Sequence, residues 1–519
     1  MKKIFGLSMA MLLFASCATL KNNQVTLPQK SIVVLYENDV HCGIDGYAKM
    51  AGLRDAINRS DTAYAVVVSS GDFLQGGTPG AISAGQYVID IMRNMDYAAI
   101  TIGNHEFDYG VPHMKKMLTE VNAPVVCVNF FDAGAEKSYF PGYVIKTLGN
   151  KRVAFVGAVT PETMILERFA FYNEQDEMIY DLKQPTFYKL VQQAVDQARN
   201  EGADYVVLLS HVGEQTQSMG FDSHRLVAAT RGIDAVLDGH SHSVIPFDQE
   251  PNIDGKIIGI TQTGTQFMNI GKLVITKDGK FSTSLLASTE VTEENARVKA
   301  TTDSIKALMN SVIEREVCTI DYDLEVLNPA TGLAYVRCRE TNAGDLVADA
   351  YRNMFQTDVA LMNGGGIRNN VPAGKVTYGD VVSLVPYDNK LVKLEATGAD
   401  ILNVLQLSTA LTPEPDGNFP QCSGIRYTIH TDTHTVTNVQ VLDKTTGNYV
   451  DIDPDKTYTL AINDYCKHSG FGGALKNCKV LQNTTVFMRD ALADYIDKTL
   501  GGHLGDTYAK PQGRITILP

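Results

Sequence analysis

The sequence predicts an α/β protein of two domains, and three observations carry that prediction. Short, β-branched-rich runs alternate with helical stretches such as Tyr47 to Asn58 and Thr186 to Glu201, the pattern of an α/β sandwich. Five of the runs stop abruptly at Asn, Asp, Gly, Ser or His, as buried strands do on entering loops. A polar helical stretch, Thr289 to about Arg315, separates this part from a second set of strand-like runs and glycine-rich turns. The 519 residues suffice for about two to four domains, and 44% apolar content is enough to fill their cores.

The chain opens on Met1-Lys2-Lys3, an apolar run from about Ile4 to Ala15, then Ser16-Cys17. A basic start and a short apolar core read as a secretory signal over residues 1–17, too short to span a bilayer as a mature helix. "LLFASC" resembles a bacterial lipobox with Cys17 as the lipid-bearing residue, although Phe14 sits where Leu is usual, which leaves simple cleavage and release as the alternative. Residues 18–30 are then a tether, 31–289 the first domain, 290–317 a linker helix and 318–519 the second domain. This organisation predicts an exported protein, periplasmic or held outside the cytoplasm by a lipid, with the membrane touched only through that anchor. Cysteines 42, 127, 318, 338, 422, 466 and 478 are odd in number and show no C-x-x-C spacing, and most are expected to be buried and free.

The five runs in the first domain share a feature. Ile32 to Tyr36 leads to Asp39 and His41, Ala65 to Val68 to Asp72, and Ala98 to Ile102 to Asn104. Tyr205 to Leu209 ends at His211, and Ala235 to Leu237 ends at His240 and His242. Ligands at several strand ends can converge on one edge of a sheet. Carboxylate, amide and imidazole donors without a thiolate suit Zn, Mn, Mg or Fe. A single Asp-x-His is a weak signal, whereas the ordered set is specific. Gly259 to Gly271 followed by Lys272 to Ile275 reads as the closing hairpin region.

The ordered motifs Asp39-x-His41, Gly71-Asp72, Gly103-Asn104-His105-Glu106, His211 and Gly239-His240-Ser241-His242 resemble the calcineurin-like metallophosphoesterases, and "ENDVH" with "GNHEFDYG" resembles their secreted 5'-nucleotidase and UDP-sugar hydrolase branch. The resemblance implies a four-layer α/β sandwich followed by a C-terminal α/β substrate-binding domain of the 5'-nucleotidase type. It implies two divalent ions, Zn, Mn or similar, one held by Asp39, His41, Asp72 and His242 and the other by Asp72, Asn104, His211 and His240, with Asp72 bridging. His105 and Asp108 match the family's catalytic pair.

In the second domain, Asn363-Gly364-Gly365-Gly366-Ile367-Arg368 follows a strand-like run. Its glycines could present N–H groups to an anion, and Arg368 could fork onto a phosphate. This stretch, "RETNAGDL" and "VPYDN" also resemble the family's C-terminal domain. Resemblance assigns Arg339, Asn363, Gly365, Arg368 and Asn389 to polar substrate contacts, and Tyr387 and Tyr465 to a sandwich around a nucleobase. One departure stands out: in "NDYCKHSGFGG", Phe471 occupies the place of an Asp that would contact the ribose hydroxyls.

A net charge of −14 argues against tracking along a nucleic-acid polymer, which needs Lys and Arg to neutralise phosphates. The partner expected is a small nucleotide. The resemblance implies a two-metal hydrolase releasing phosphate from nucleoside 5'-monophosphates, with nucleoside diphosphates or UDP-sugars as further substrates. The alternatives are a 2',3'-cyclic nucleotide 2'-phosphodiesterase and a non-catalytic nucleotide-binding protein.

Overall fold

The computed structural model describes residues 30–173, 177–214 and 220–519. The predicted export signal, Cys17 and all of the tether but Lys30 lie outside the described residues. Two sheets form the first half. The first has five strands in the order Phe281–Ala287, Asn269–Ile275, Ser31–Glu37, Ala63–Ser69, Ala99–Ile100, the last three parallel. The second has six, in the order Val244–Pro251, Ile257–Thr263, Ala235–Leu237, Tyr205–His211, Lys151–Val159, Tyr143–Leu148, with the inner four parallel and the edge strands antiparallel.

Alternation along the strands builds the layers. Ile32, Val34 and Tyr36 point into a core shared with Val153, Phe155, Val207 and Leu209 of the other sheet. Val33 and Leu35 point the other way, onto Tyr47, Met50 and Ala51 of the helix Tyr47–Arg59. Likewise Ala154, Val156, Val206 and Leu208 pack on Val191, Val195 and Ala198 of the helix Phe187–Asn200. Strands buried on both faces carry near-continuous apolar runs. The result is helices, sheet, sheet, helices.

The predicted closing hairpin needs correction. Ile257–Thr263 and Asn269–Ile275 lie in different sheets, and the hairpin that ends the domain pairs Asn269–Ile275 with Phe281–Ala287. The glycine-rich stretch is a crossing between sheets, made possible by positive φ at Gly264 (88°), Gln266 (49°) and Phe267 (55°). That crossing also serves the site, because the Gln266 N–H and the Thr265 hydroxyl both donate to the Asp39 carbonyl, at 2.9 and 2.8 Å.

Helix Ala296–Ile313 follows, started by Asn295, whose side chain accepts from the N–H groups of Arg297 and Val298. Beyond it, a five-stranded sheet runs Pro420–Ser423, Val359–Asn363, Thr457–Asn463, Lys390–Thr397, Lys479–Phe487, beside a four-stranded sheet of Tyr449–Asp451, Thr435–Leu442, Ile425–His430 and Ile515–Leu518. The two halves meet directly. The buried Arg489 donates to the Ala81 carbonyl at 2.7 Å and pairs with Asp388, which also accepts from Gln75 at 2.9 Å. Among the described residues no helix is long and apolar enough to cross a membrane. All seven cysteines there are free, six of them buried.

Candidate active site

Asp39, His41, Asp72, Asn104, His211, His240 and His242 all lie at or just beyond the carboxyl ends of parallel strands, the edge at which open α/β sheets place their ligands. The loops there are tightly constrained. Asp39, His41, Asp72, His240 and His242 have φ of 51°, 44°, 60°, 79° and 55°, a backbone state uncommon for residues with a side chain and concentrated at functional sites. Gly103 has no alternative: a Cβ there would stand 2.1 Å from Asp72 Oδ1 and 2.6 Å from His211 Nε2.

Within this edge the ligating atoms of Asp39, His41, Asp72 and His242 lie within 4.8 Å of one another. The Nε2 atoms of His41 and His242 are 2.9 Å apart, and His242 Nε2 is 3.5 Å from Asp39 Oδ1. His211 Nε2 is 3.1 Å from Asp72 Oδ2 and 3.9 Å from Asp39 Oδ1. His240 Nδ1 is 2.9 Å from Asn104 Oδ1. The structure therefore brings all seven predicted side chains to one place.

Surrounding groups set which ring nitrogens face inward. Main-chain carbonyls of Gln75 and Ser70 lie 3.1 and 2.7 Å from the Nδ1 atoms of His41 and His211, which fixes N–H there and turns each Nε2 towards the carboxylates of the cluster. Burial pushes the His41 and His240 imidazoles down to about 4 and also lowers His242, so all three are neutral at pH 7. Asp39 is pushed up to about 7 by burial, with His211 pulling it down and Asp72 pushing it further up. For His211 burial disfavours the charge, but Asp72 and Asp39 outweigh it and raise the ring to about 10.

These residues fit divalent ions. The Nε2 atoms of His41 and His242 converge to 2.9 Å, close enough for both to bind one ion once the proton between them is displaced. His211 Nε2 is fully buried without a hydrogen-bond partner, and the N/O donor set suits Zn or Mn.

Beside the cluster, His105–Phe107 forms a single 3-10 turn, which puts His105 Nδ1 3.0 Å from Asp108 Oδ2 and the His105 ring centre 5.0 Å from that of His41. Burial disfavours the imidazolium, yet Asp108 and Asp72 raise it well above its ordinary range. With Nδ1 held by Asp108, Nε2 is the atom left for a ligand.

In the second half, Asn363 ends the strand Val359–Asn363, Arg368 lies in the loop after it, Tyr387 and Asn389 lie in the loop that leads into Lys390–Thr397, and Tyr465 follows the strand Thr457–Asn463. Arg368 lies over the Tyr387 ring at 5.9 Å, Asn363 accepts from Asn463, which starts the helix carrying Tyr465, and Asn389 donates to Asp464 at 2.8 Å. Tyr387 and Tyr465 are each 45% exposed, so their faces are open to a ligand. Arg339 lies over Tyr335 at 3.4 Å and pairs loosely with Glu325 at 3.6 Å, engaged within its own domain. The glycine triplet corrects the expectation of an anion cradle. The N–H groups of Gly364 and Gly365 are taken by the carbonyls of Phe419 and Gly417, both at 2.8 Å, and a Cβ on Gly364 would meet the Val336 carbonyl at 2.2 Å. Close backbone packing accounts for the glycine at Gly364, and neither of these two N–H groups is available to an anion.

Residues 32–244 match the profile of the calcineurin-like phosphoesterases, and residues 323–477 that of the 5'-nucleotidase C-terminal domain. The chain carries a calcineurin-like phosphoesterase domain followed by a 5'-nucleotidase C-terminal domain. A trifunctional nucleotide phosphoesterase of Bacillus subtilis is 26% identical over 85% of this chain and 32% of its own length. A 2',3'-cyclic-nucleotide 2'-phosphodiesterase/3'-nucleotidase of Haemophilus influenzae is 24% identical over 89% of this chain and 82% of its own. The chain spans about a third of the length of the two Bacillus subtilis relatives it matches. In fold it is similar to the crystal structure of a 5'-nucleotidase precursor from Thermus thermophilus, at 24% identity and a TM-score of 0.58, covering 94% of this chain and 99% of that one.

Three residues of the phosphoesterase domain have roles that sequence reading did not assign. Glu106 accepts hydrogen bonds from four main-chain N–H groups, those of Asp72, Phe73, Leu74 and Gly103 at 2.8, 2.8, 3.0 and 2.5 Å, and so ties the loop bearing Asp72 to the loop bearing Asn104. Glu162 lies 3.7 Å from His240 Nε2, on the far side of the ring from Asn104. Glu167 joins His105 and Asp108, with one ligating atom of each within 4.8 Å of the others. Both Glu162 and Glu167 follow the strand Lys151–Val159, and an acidic residue just past a sixth parallel strand end was the available signal. In the 5'-nucleotidase domain, Phe471 is fully buried among Cys466, Leu475 and Leu405, and its N–H donates to Asn418.

Proposed function

We propose that this chain is a two-metal hydrolase of nucleotides outside the cytoplasm, releasing phosphate from nucleoside 5'-monophosphates, with nucleoside diphosphates and UDP-sugars as further substrates. The observation that carries the reading is the seven-residue N/O donor cluster placed beside the His105–Asp108 pair. In this reading Asp39, His41, Asp72 and His242 hold one ion, and Asp72, Asn104, His211 and His240 the other. When bound, the ions supply Lewis-acid stabilisation of phosphoryl charge and acidify water towards a pKa of about 7.

The chain's own residues supply the rest. Asn104 offers its amide to a phosphoryl oxygen. Asp108 holds the proton of His105 Nδ1, so that Nε2–H faces outward and delivers a proton to the departing ribose oxygen. Arg368 and Asn363 take polar groups of the substrate, and Tyr387 and Tyr465 stack on the base, a contact worth about 1–3 kcal/mol with little base discrimination. Export and a lipid on Cys17 belong to the same reading, supported by the basic, apolar and small-residue order of residues 1–17.

The burial of Phe471 favours a second reading. With that ring in the core, no carboxylate stands there to require a free ribose diol, so a 2',3'-cyclic phosphodiester is also admissible. Phosphate release from AMP, UDP-glucose and 2',3'-cyclic AMP, with chelator and with added Mn or Zn, tests both readings. Metal-dependent release from AMP supports the first, and cleavage of the cyclic ester alone supports the second. No release from any of them would leave a nucleotide-binding protein without turnover.

A further inference from the structure

Glu167 belongs to no motif, yet it stands at the catalytic turn. It links two short helical turns, Thr163–Leu166 and Arg168–Phe171, and its own N–H and C=O are both hydrogen-bonded, to Thr163 and Ala170. The segment is pinned from below, because Phe171 packs on Phe107 of the turn that carries His105, with ring centres 4.9 Å apart. On its other side Phe169 meets the ring of His468 in the second domain at 4.5 Å. Glu167 is thus set rigidly against His105 and Asp108.

We propose that Glu167 is a positioning residue for the phosphoryl chemistry, its carboxyl donating an O–H to Asp108 and so fixing the orientation in which Asp108 aims His105 at the leaving oxygen. The inference rests on the functional reading above. Asp108 has one oxygen, Oδ2, on His105 Nδ1. Its other oxygen, Oδ1, is buried and receives no N–H or O–H from the described residues unless Glu167 brings a proton. An unmatched buried carboxylate oxygen costs about 1–3 kcal/mol and leaves the group free to rotate. Two carboxyls this close do not both carry charge. Asp108 Oδ2 is committed to the N–H of His105 Nδ1, so the proton between the two carboxyls sits on Glu167. Burial and the charge of Asp108 hold the Glu167 carboxyl well above its usual range, against the opposing pull of His105 and Lys390. Lys390 itself reaches across from the second domain to the main-chain carbonyl of Asp108.

The test compares Glu167→Ala and Glu167→Gln in the full-length, Mn-loaded protein. AMP has a poor leaving group that needs the proton from His105, whereas p-nitrophenyl phosphate has one that leaves without it. Glu167→Ala is expected to lower kcat on AMP at least about tenfold more than kcat on p-nitrophenyl phosphate, a fraction of the roughly 10²–10⁴ that a positioned acid contributes. Glu167→Gln, whose amide N–H replaces the acid O–H, is expected to recover most of the loss. Equal losses on both substrates, no loss on AMP, or a Gln variant as poor as the Ala variant would overturn the proposal. A second readout does not need turnover. Read in the diamagnetic Zn-loaded protein, the His105 Nδ1–H proton resonance should be protected from exchange in the wild type and Glu167→Gln, and broadened away in Glu167→Ala. If the wild type hydrolyses neither substrate, the functional reading fails, and this resonance still decides the positioning role; its persistence in Glu167→Ala rejects it.

Discussion

Replacing Glu106 tests what holds the metal-binding loops in place. Its two oxygens accept four main-chain N–H groups, two on Oε1 from Phe73 and Leu74 and two on Oε2 from Asp72 and Gly103, all buried. A hydrogen bond to a charged group is worth about 1.5–3 kcal/mol, so Glu106→Ala puts on the order of 6–12 kcal/mol at stake, comparable with the ~5–15 kcal/mol stability of a whole domain. That variant is expected not to fold. Glu106→Gln is the informative change. One oxygen still accepts a pair of N–H groups, while the new NH₂ faces the other pair, donor against donor, at about 1–3 kcal/mol for each N–H left without an acceptor, or roughly 2–6 kcal/mol in total. Because the chain has no Trp, unfolding in urea is followed by far-UV circular dichroism. Amide exchange over Asp72–Leu74 and Gly103, read by mass spectrometry, reports on the loops themselves. The expected result is a lower urea midpoint, faster exchange confined to those loops, and weaker Mn binding. Unchanged exchange there together with wild-type Mn affinity would refute the clamp.

His105→Asn should lower turnover on AMP by about 10²–10⁴ while the bound metal content stays that of the wild type; unchanged turnover would exclude His105 from the chemistry. Metal affinity should depend on pH with a definite sign. A ligand must be deprotonated: His211, raised to about 10, and Asp39, pushed up to about 7 by burial, each give up a proton, whereas His41 and His240 at about 4 are already neutral, so Mn affinity should fall as pH drops from 8 to 6, about tenfold per unit above pH 7 and more steeply below it as Asp39 is also protonated. Proton release on Mn binding, measured by calorimetry in buffers of different ionisation enthalpy, checks this, and a flat affinity over that range would count against it. A substrate that spans ions in the first domain and tyrosines in the second requires the two to part for loading, with Gln75 and Asp388 facing each other across the contact. Cysteines at those two positions, oxidised to a disulfide, should reduce multiple turnover at least about tenfold and reductant should restore it; full activity of the locked form would argue against domain parting.

The donor cluster was readable in the sequence because strand ends have a local signature. A buried strand is a run of apolar residues, and where it stops, a side chain that tolerates positive φ or ligates a cation has to follow, as Asp39, Asp72 and His240 do. The α/β sandwich followed from the same runs, since strands covered on both faces call for helices outside the sheets, while the count of four layers came with the family resemblance. What escaped is what acts through the main chain. Glu106 sits inside a recognisable motif, but its work is to receive N–H groups from residues more than thirty positions away, and any residue type supplies an N–H. Gly364 and Gly365 illustrate the converse: in sequence they look like donors awaiting an anion, and only the fold shows that the carbonyls of Phe419 and Gly417 already occupy them. The crossing at Gly264 was mistaken for a hairpin because both need positive φ, and nothing local says which sheet the next strand joins. Glu167 lies nearly sixty residues past Asp108, and its placement depends on Phe171 docking on Phe107, a contact no spacing rule anticipates. Residues that meet a ligand are therefore legible from type and position, whereas residues that aim them become legible only when the backbone beneath is known.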